Sequence, residues 1–178
     1  MISDTDKLFF KEKKYLILDN FISESLCDDA KDTIKKYIEK DKYFYRITEN
    51  YMNYLELYKT PAVCNPIKAM CISAYQELTD LEADDDISCR VQVYSHGAYL
   101  REHTDGTGDG SLSFSVALNN RDGGGGFLKV NNKVIDCIKG RVIIMDSDRV
   151  KHEVVNVKNW TRYNVISFIK SKKNKKNT

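Results

Sequence analysis

The stretch Ile87–Asp105, ISCRVQVYSHGAYLREHTD, reads as two short strands, Ile87–Tyr94 and Tyr99–Glu102, broken by the turn residues Ser95-His96-Gly97 and closed by a histidine and an aspartate. Six further short runs with turn punctuation follow it: Ser111–Asn119, Gly126–Val130, Lys133–Cys137, Arg141–Met145, His152–Val157 and Arg162–Ile169. Short strands in this number predict a β-sandwich or barrel, and eight strands in two sheets make a jelly roll. In Ser111–Asn119, Leu112, Phe114, Val116 and Leu118 point one way, whereas Ser111, Ser113, Ser115, Ala117 and Asn119 point the other. A strand packed on helices outside and lining a small-molecule cavity inside has this pattern, and so does an ordinary half-exposed strand.

Upstream of this β region, Lys14–Leu18 is a short apolar strand. Ser23 is placed to cap a helix in which Leu26, Ala30, Ile34 and Tyr37/Ile38 recur at helical spacing up to about Lys40. A second helix opens at Asn65-Pro66, with Ile67, Met70, Cys71, Ala74, Leu78 and Leu81 as its apolar stripe. Both stripes are expected to pack on a sheet. Between them, Tyr43–Pro61 carries tyrosines at 43, 45, 51, 54 and 58 with poor periodicity; it reads equally as a substrate-facing lid or as an edge hairpin. The run Gly123–Gly126 lacks the lysine and hydroxyl of a phosphate loop and reads as a tight connection. The expected fold is mainly β with flanking helices: a double-stranded β-helix (jelly roll) supported by N-terminal helices. Residues 1–169 form one domain, with 14–82 as helical support and lid segment and 87–169 as the jelly-roll core.

The chain's 178 residues, 42% hydrophobic and 30% charged, suit one globular domain. The formal net charge of +2 comes from five lysines within residues 170–178; without them 23 basic residues stand against 26 acidic, a net of −3. A nucleic-acid footprint needs a basic face on the folded body, so none is expected, and the Lys-rich end reads as a solvated, disordered tail. No apolar run approaches the ~20 residues that span a bilayer, and Met1-Ile2-Ser3-Asp4 is no secretory signal. Five cysteines (27, 64, 71, 89 and 137), with no C-x-x-C pair, read as buried, reduced thiols of a cytoplasmic or other intracellular compartment.

There are three histidines. His103-Thr104-Asp105 places an imidazole and a carboxylate on the same face of an extended chain. His152 opens another strand 47 residues later, and a jelly roll can bring two such strand ends together. Two imidazoles and one carboxylate on one side of a metal leave its other positions open, the arrangement of non-haem Fe(II) oxygenases. His-x-Asp alone arises often by chance. Arg162, ten residues after His152 in the last strand, strengthens it, because a buried arginine needs an anion and a dicarboxylic 2-oxo acid would supply one.

The segment Val91–Asp105, VQVYSHGAYLREHTD, resembles the Y-x-x-G-x-x-L-x-x-H-x-D opening of the Fe(II)- and 2-oxoglutarate-dependent dioxygenases of the prolyl 4-hydroxylase type. Ser113–Asn119, the glycines before Phe127-Leu128, Lys139-Gly140-Arg141 through Met145, His152-Glu153-Val154 and Thr161-Arg162-Tyr163 with Ile166-Ser167-Phe168 continue the pattern. The same motifs are similar to the catalytic domain of procollagen lysyl hydroxylases, and Leu18–Ser23 resembles the strand-to-helix start of the prolyl group.

The resemblance implies that His103, Asp105 and His152 bind iron, that Arg162 pairs with the distal carboxylate of 2-oxoglutarate, and that Tyr94 and Ser113 line the cosubstrate pocket. It implies hydroxylation of a protein side chain, prolyl ahead of lysyl, with O2 consumed, succinate and CO2 released and ascorbate as reductant. The partner would be a peptide or protein, met through Tyr43–Pro61. The alternatives are a hydroxylase of a free amino acid or other small molecule, and a non-catalytic jelly-roll binding module. Nucleic-acid demethylation is disfavoured by the acidic body and by Phe168, where repair dioxygenases usually carry a second arginine. Leu100, Asn156 and Asn159-Trp160 depart from the prolyl pattern; they leave the metal ligands intact and the target open between proline and lysine. His96 matches no ligand position and reads as a loop residue.

Overall fold

A computed structural model describes residues 2–40, 44–49, 52–57, 60–84, 87–106 and 111–172. In chain order they form α1 (Asp4–Lys13), β1 (Tyr15–Leu18), α2 (Glu24–Glu39), β2 (Phe44–Glu49), β3 (Met52–Leu57), a 3-10 turn (Ala62–Cys64), α3 (Asn65–Thr79), β4 (Ser88–Tyr94), β5 (Tyr99–His103), β6 (Leu112–Ala117), β7 (Leu128–Val130), β8 (Lys133–Ile135), β9 (Val142–Met145), β10 (His152–Val154) and β11 (Arg162–Ile169). All eight strands expected from residue 87 onward are present, most of them trimmed by one to three residues at their ends.

The strands pair antiparallel in the order β1-β9-β6-β11-β4-β3-β5-β10-β7-β8, with β2 on the edge of β3. The β3 strand joins two walls. Leu55–Leu57 lie opposite Val93–Val91 of β4, while Met52 and Asn53 lie opposite Leu100 and Tyr99 of β5. The curled sheet is a double-stranded β-helix. Its alternation sorts side chains into two cores. Phe114, Val116, Val142, Ile144, Val165 and Ile169 face the helices, which present Cys27, Ala30 and Ile34 from α2 and Ile67, Cys71 and Leu78 from α3. Tyr94, Ala117, Ile143 and Met145 face inward and pack on Leu100, Val130 and Val154 of the opposing wall. Both faces of β6 are therefore buried: its greasy face meets helices and its small polar face lines the interior.

Ser23 caps α2, its side chain accepting from the Leu26 N–H. In α3 no side chain caps the start, and Pro66 sits in the first turn, where its missing N–H is harmless. Two members of the expected α3 stripe stay outside the core. Met70 is 38% exposed, and Leu81 is 51% exposed because the helix ends at Asp80 in a left-handed turn. The first helix, α1, was not anticipated. It buries no residue and is held by a capping box in which Ser3 and Asp6 bond reciprocally. Lys14, expected in the strand, is its left-handed C-cap instead.

Tyr43–Pro61 folds largely as the β2–β3 hairpin, of which only β2 is an edge; Tyr43, Tyr51 and Tyr58 lie outside the described residues. Three residues of the Lys-rich end expected as a tail from Lys170 are tied to the body. Lys170 and Lys172 are hydrogen-bonded to Asp84 and Glu82, and Ser171 bridges Ala83, while 173–178 lie outside the described residues. Among the described residues no helix is long and apolar enough to cross a membrane. All five cysteines are unpaired, and burial pushes the Cys64 and Cys71 thiols up to about 12.

Candidate metal centre and cosubstrate pocket

The β5 strand ends at His103 and β10 begins at His152, and the two histidines are direct cross-strand partners. Antiparallel pairing thus converts a sequence separation of 47 residues into a ring-centroid distance of 4.3 Å. Asp105 lies two residues past His103, and its backbone N–H donates to Ser147 O at 3.0 Å, which turns the chain back over the histidine pair. Its Oδ1 is 3.3 Å from His103 Nε2 and 3.5 Å from His152 Nε2. The three candidate ligand atoms lie within 4.8 Å of one another.

The backbone sets the histidine tautomers. His103 Nδ1 is 2.9 Å from Arg101 O, and His152 Nδ1 is 3.1 Å from Val150 O. A carbonyl only accepts, so each Nδ1 carries a proton, which leaves each Nε2 to donate to Asp105 when the imidazole is protonated and to offer its lone pair to a metal when it is neutral. Asp105 Oδ2 is buried with no hydrogen-bond partner, an orphan that a cation would satisfy. Two nitrogens and one carboxylate oxygen, with open space beside them, fit Fe(II).

Burial raises the Asp105 pKa, but hydrogen bonds from His103, His152 and Ser147 outweigh it and hold the carboxyl well below its ordinary value. Burial lowers the His103 pKa, and here too the hydrogen bond to Asp105 and the Arg101 carbonyl outweigh it, so the net direction is up. In the metal-free protein the His103 contribution to stability is complete below its ordinary value of 6.5 and is lost as pH rises through the elevated folded value. The Asp105 contribution is present above 3.8 and is lost as pH falls through the depressed folded value. A bound metal needs neutral imidazoles. The expected result is a melting temperature of metal-free protein that falls from about pH 6 to about pH 8, and a Co(II)-induced rise in melting temperature that grows over the same range. Thermal melts with and without the ion check both trends.

Arg162 opens β11 opposite Tyr94 and is 2% exposed. Its Nη1 donates to Gly126 O at 2.8 Å, its Nε is buried without a partner, and its guanidinium carbon lies 5.9 Å from the Tyr94 ring. No carboxylate forms an ion pair with it among the described residues. Such a guanidinium suits an organic diacid. Tyr94 is fully buried; its hydroxyl donates to Gln92 Oε1 at 2.9 Å and its ring packs on Tyr54 at 4.9 Å. Ser113, also on the inner face, lies across from Met145 and Phe168 with its buried Oγ unpartnered, and no contact ties it to Arg162. Thus His103, Asp105 and His152 come together, Arg162 joins Tyr94, and Ser113 lies several residues along the wall. His96 is an exposed turn residue whose Nδ1 accepts from the Asn159 N–H.

The sequence reading missed the polar ladder Arg90-Gln92-Tyr94 on the inner face of β4 and its buried partner Glu56 on β3. The alternation with Val91 and Val93 carried that signal. It also missed why the glycines are there. Gly125 has φ +65°, and a Cβ on it would stand 1.8 Å from Asn156 O; Gly126 has φ +69°, and a Cβ on it would stand 2.2 Å from the Trp160 ring. Trp160 Nε1 donates to Gly124 O at 3.1 Å, so the glycine run lies flat on the indole and presents the Gly126 carbonyl to Arg162. Gly126→Ala is expected to cost about 2–4 kcal/mol of stability from backbone strain and overpacking. It should also weaken 2-oxoglutarate binding, which denaturant unfolding and calorimetry would read separately.

Residues 89–170, from β4 through β11, match the model of the 2OG-Fe(II) oxygenase superfamily. The match spans a little under half of the chain, and all four residues of the metal and guanidinium clusters lie inside it. Its fold is that of solved prolyl 4-hydroxylases. The Pseudomonas putida prolyl-4-hydroxylase superposes with a TM-score of 0.81 at 16% identity, over 94% of this chain and 98% of that one. The viral collagen prolyl hydroxylase of Paramecium bursaria Chlorella virus-1, solved as a 2-oxoglutarate complex, gives 0.70 at 18% identity, over 91% and 98%. SnoN, the α-ketoglutarate-dependent epimerase of nogalamycin biosynthesis, gives 0.79 at 8% identity, over 94% and 82%. No curated protein sequence matches the chain significantly.

Proposed function

We propose that the protein is an Fe(II)- and 2-oxoglutarate-dependent hydroxylase of a protein side chain, prolyl ahead of lysyl. The observation that carries this reading is the convergence of His103, Asp105 and His152 on one point, together with a buried Arg162 that has no carboxylate partner among the described residues and lies beside Tyr94. His103 Nε2, His152 Nε2 and an Asp105 oxygen would hold the iron, and Arg162 would take the distal carboxylate of 2-oxoglutarate. When bound, the pair supplies the oxidising chemistry: O2 is consumed, 2-oxoglutarate is converted to succinate and CO2, and a C–H bond is hydroxylated. The Arg101 and Val150 carbonyls orient the imidazoles. Tyr94, whose phenol burial and the neighbouring Tyr54 keep protonated, walls the cosubstrate away from solvent.

Two similarities bear on the substrate. A prolyl hydroxylase from Trichoplax adhaerens, solved with a hypoxia inducible factor peptide fragment, superposes with a TM-score of 0.72 at 20% identity, which supports a peptide substrate; its proposed meeting place is the Tyr43–Pro61 segment. The likeness to SnoN favours a small-molecule substrate as the second reading. Residues 1–169 would act as one catalytic domain, and ascorbate would keep the iron reduced. The unpaired cysteines support a reducing intracellular compartment. Succinate formation from 2-oxoglutarate with Fe(II) and ascorbate, followed by a +16 Da search over prolyl and lysyl peptides, tests this. No succinate under any condition would refute it, and oxidation confined to small molecules would favour the second reading.

A further inference from the structure

A cleft of about 390 Å³ opens beside the metal cluster and runs along β4 and β11, with His103 and Asp105 at one end and Arg90 and Phe168 among its walls. We propose that Arg90 selects the substrate, and that the substrate is an acidic peptide segment carrying a carboxylate close to the residue to be oxidised. The proposal rests on the oxygenase reading above and names the substrate class for it.

The two inward arginines of this ribbon have different exposures and therefore different tasks. Arg162 faces Tyr94 in the ladder, and Arg90 faces Ile166, four residues further along. At ~3.3 Å per residue this separates them by roughly 13 Å along the strand. Arg162 is sealed at 2% exposure, whereas the Arg90 side chain is 50% exposed. A ligand arriving from solvent after the deep pocket is filled meets Arg90. Among the described residues that line the cleft it is the only lysine or arginine, and Met52, Tyr54, Ile166 and Phe168 make much of the remainder apolar or aromatic.

Arg90 is also held ready. Its Nε donates to Ser88 Oγ at 3.2 Å, its Nη1 is 3.6 Å from Glu56 Oε1, and its guanidinium carbon lies 5.9 Å from the Phe168 ring centroid. Glu56 is 2% exposed and also accepts from Gln92 Nε2 at 3.4 Å, so it anchors the guanidinium from behind and is out of a substrate's reach. Ser88 and Glu56 engage two of the five N–H donors of the fork. The solvent-facing edge is left to a carboxylate, and the anchoring lowers the entropy lost when one binds.

Peptides that contain proline or lysine and differ only by Asp, Ala or Lys at each flanking position test this on enzyme loaded with Fe(II) and 2-oxoglutarate. Binding is read anaerobically by fluorescence anisotropy and oxidation is read by mass. At one position Asp should bind about tenfold more tightly than Ala, Lys should bind more weakly, and the difference should shrink with salt. Glu56→Gln keeps an acceptor behind the guanidinium and removes the negative charge that offsets it, so the ranking should sharpen. The Arg90→Gln/Glu56→Gln double variant should flatten it without leaving a buried carboxylate uncompensated. A flat ranking in the wild type, or one that survives in the double variant, overturns the proposal. Peptide-independent succinate formation separates the two levels: intact succinate with a flat ranking removes Arg90 alone, while loss of both succinate and 2-oxoglutarate binding removes the oxygenase reading and the proposal with it.

Discussion

Asp105→Ala should lower 2-oxoglutarate turnover at least about a thousandfold while leaving the metal-free fold intact. Asp105 is the only anionic member of the cluster, and its Oδ1 stands between the two imidazole nitrogens. Removing it leaves two neutral donors for a divalent cation, and a loss of ~4 kcal/mol in binding corresponds to a thousandfold. The fold should survive because the loop is tied down by its backbone, through the Asp105 N–H to Ser147 O, and alanine keeps that bond. Circular dichroism of metal-free protein should be close to wild type and its melting temperature lower, because the pairing of Asp105 with His103 is gone, while Fe(II) binding and succinate formation are lost. Retained turnover would remove Asp105 from the metal site.

Arg162→Met should separate binding from stability in the opposite sense to most core substitutions. Among the described residues the buried guanidinium has the hydrogen bond to Gly126 O, an orphaned Nε and no carboxylate partner. Replacing a buried, uncompensated charge by an apolar chain of similar length is neutral or stabilising in many proteins. The one loss is the bond to Gly126 O, about 1 kcal/mol. Metal-free Arg162→Met should therefore melt near or above wild type. Its 2-oxoglutarate affinity should fall by 2–5 kcal/mol, roughly 30-fold or more, because the charge-assisted pair with the distal carboxylate disappears. Arg162→Lys should lie between, since it keeps the charge but not the planar fork. Unchanged affinity in Arg162→Met, measured by calorimetry with Fe(II) under anaerobic conditions, would place the diacid elsewhere.

The β half of the chain was legible because each strand is short, bounded by turn residues and patterned. The alternation in Ser111–Asn119 even announced a wall between helices and an interior. His103 and Asp105 were legible as a local pair. Their convergence with His152 depends on β5 lying beside β10, a pairing that local pattern does not encode; the superfamily motifs supplied it. The first helix escaped because it has no buried stripe and its clearest local signal is its capping box. The Glu56–Arg90 pair escaped because its partners lie 34 positions apart on strands that meet only when β3 joins the two walls. The glycine run looked like a turn; its reason, Trp160, stands more than thirty residues downstream.

Anaerobic titration of 2-oxoglutarate into the protein, with and without one equivalent of Fe(II), tests the shared site most directly. Tight binding of one 2-oxoglutarate per chain is expected only when Fe(II) is present, and it should vanish in both Asp105→Ala and Arg162→Met. Binding that ignores the metal, or that persists in both variants, would contradict a site in which the two histidines, the aspartate and the buried guanidinium act on the same molecule.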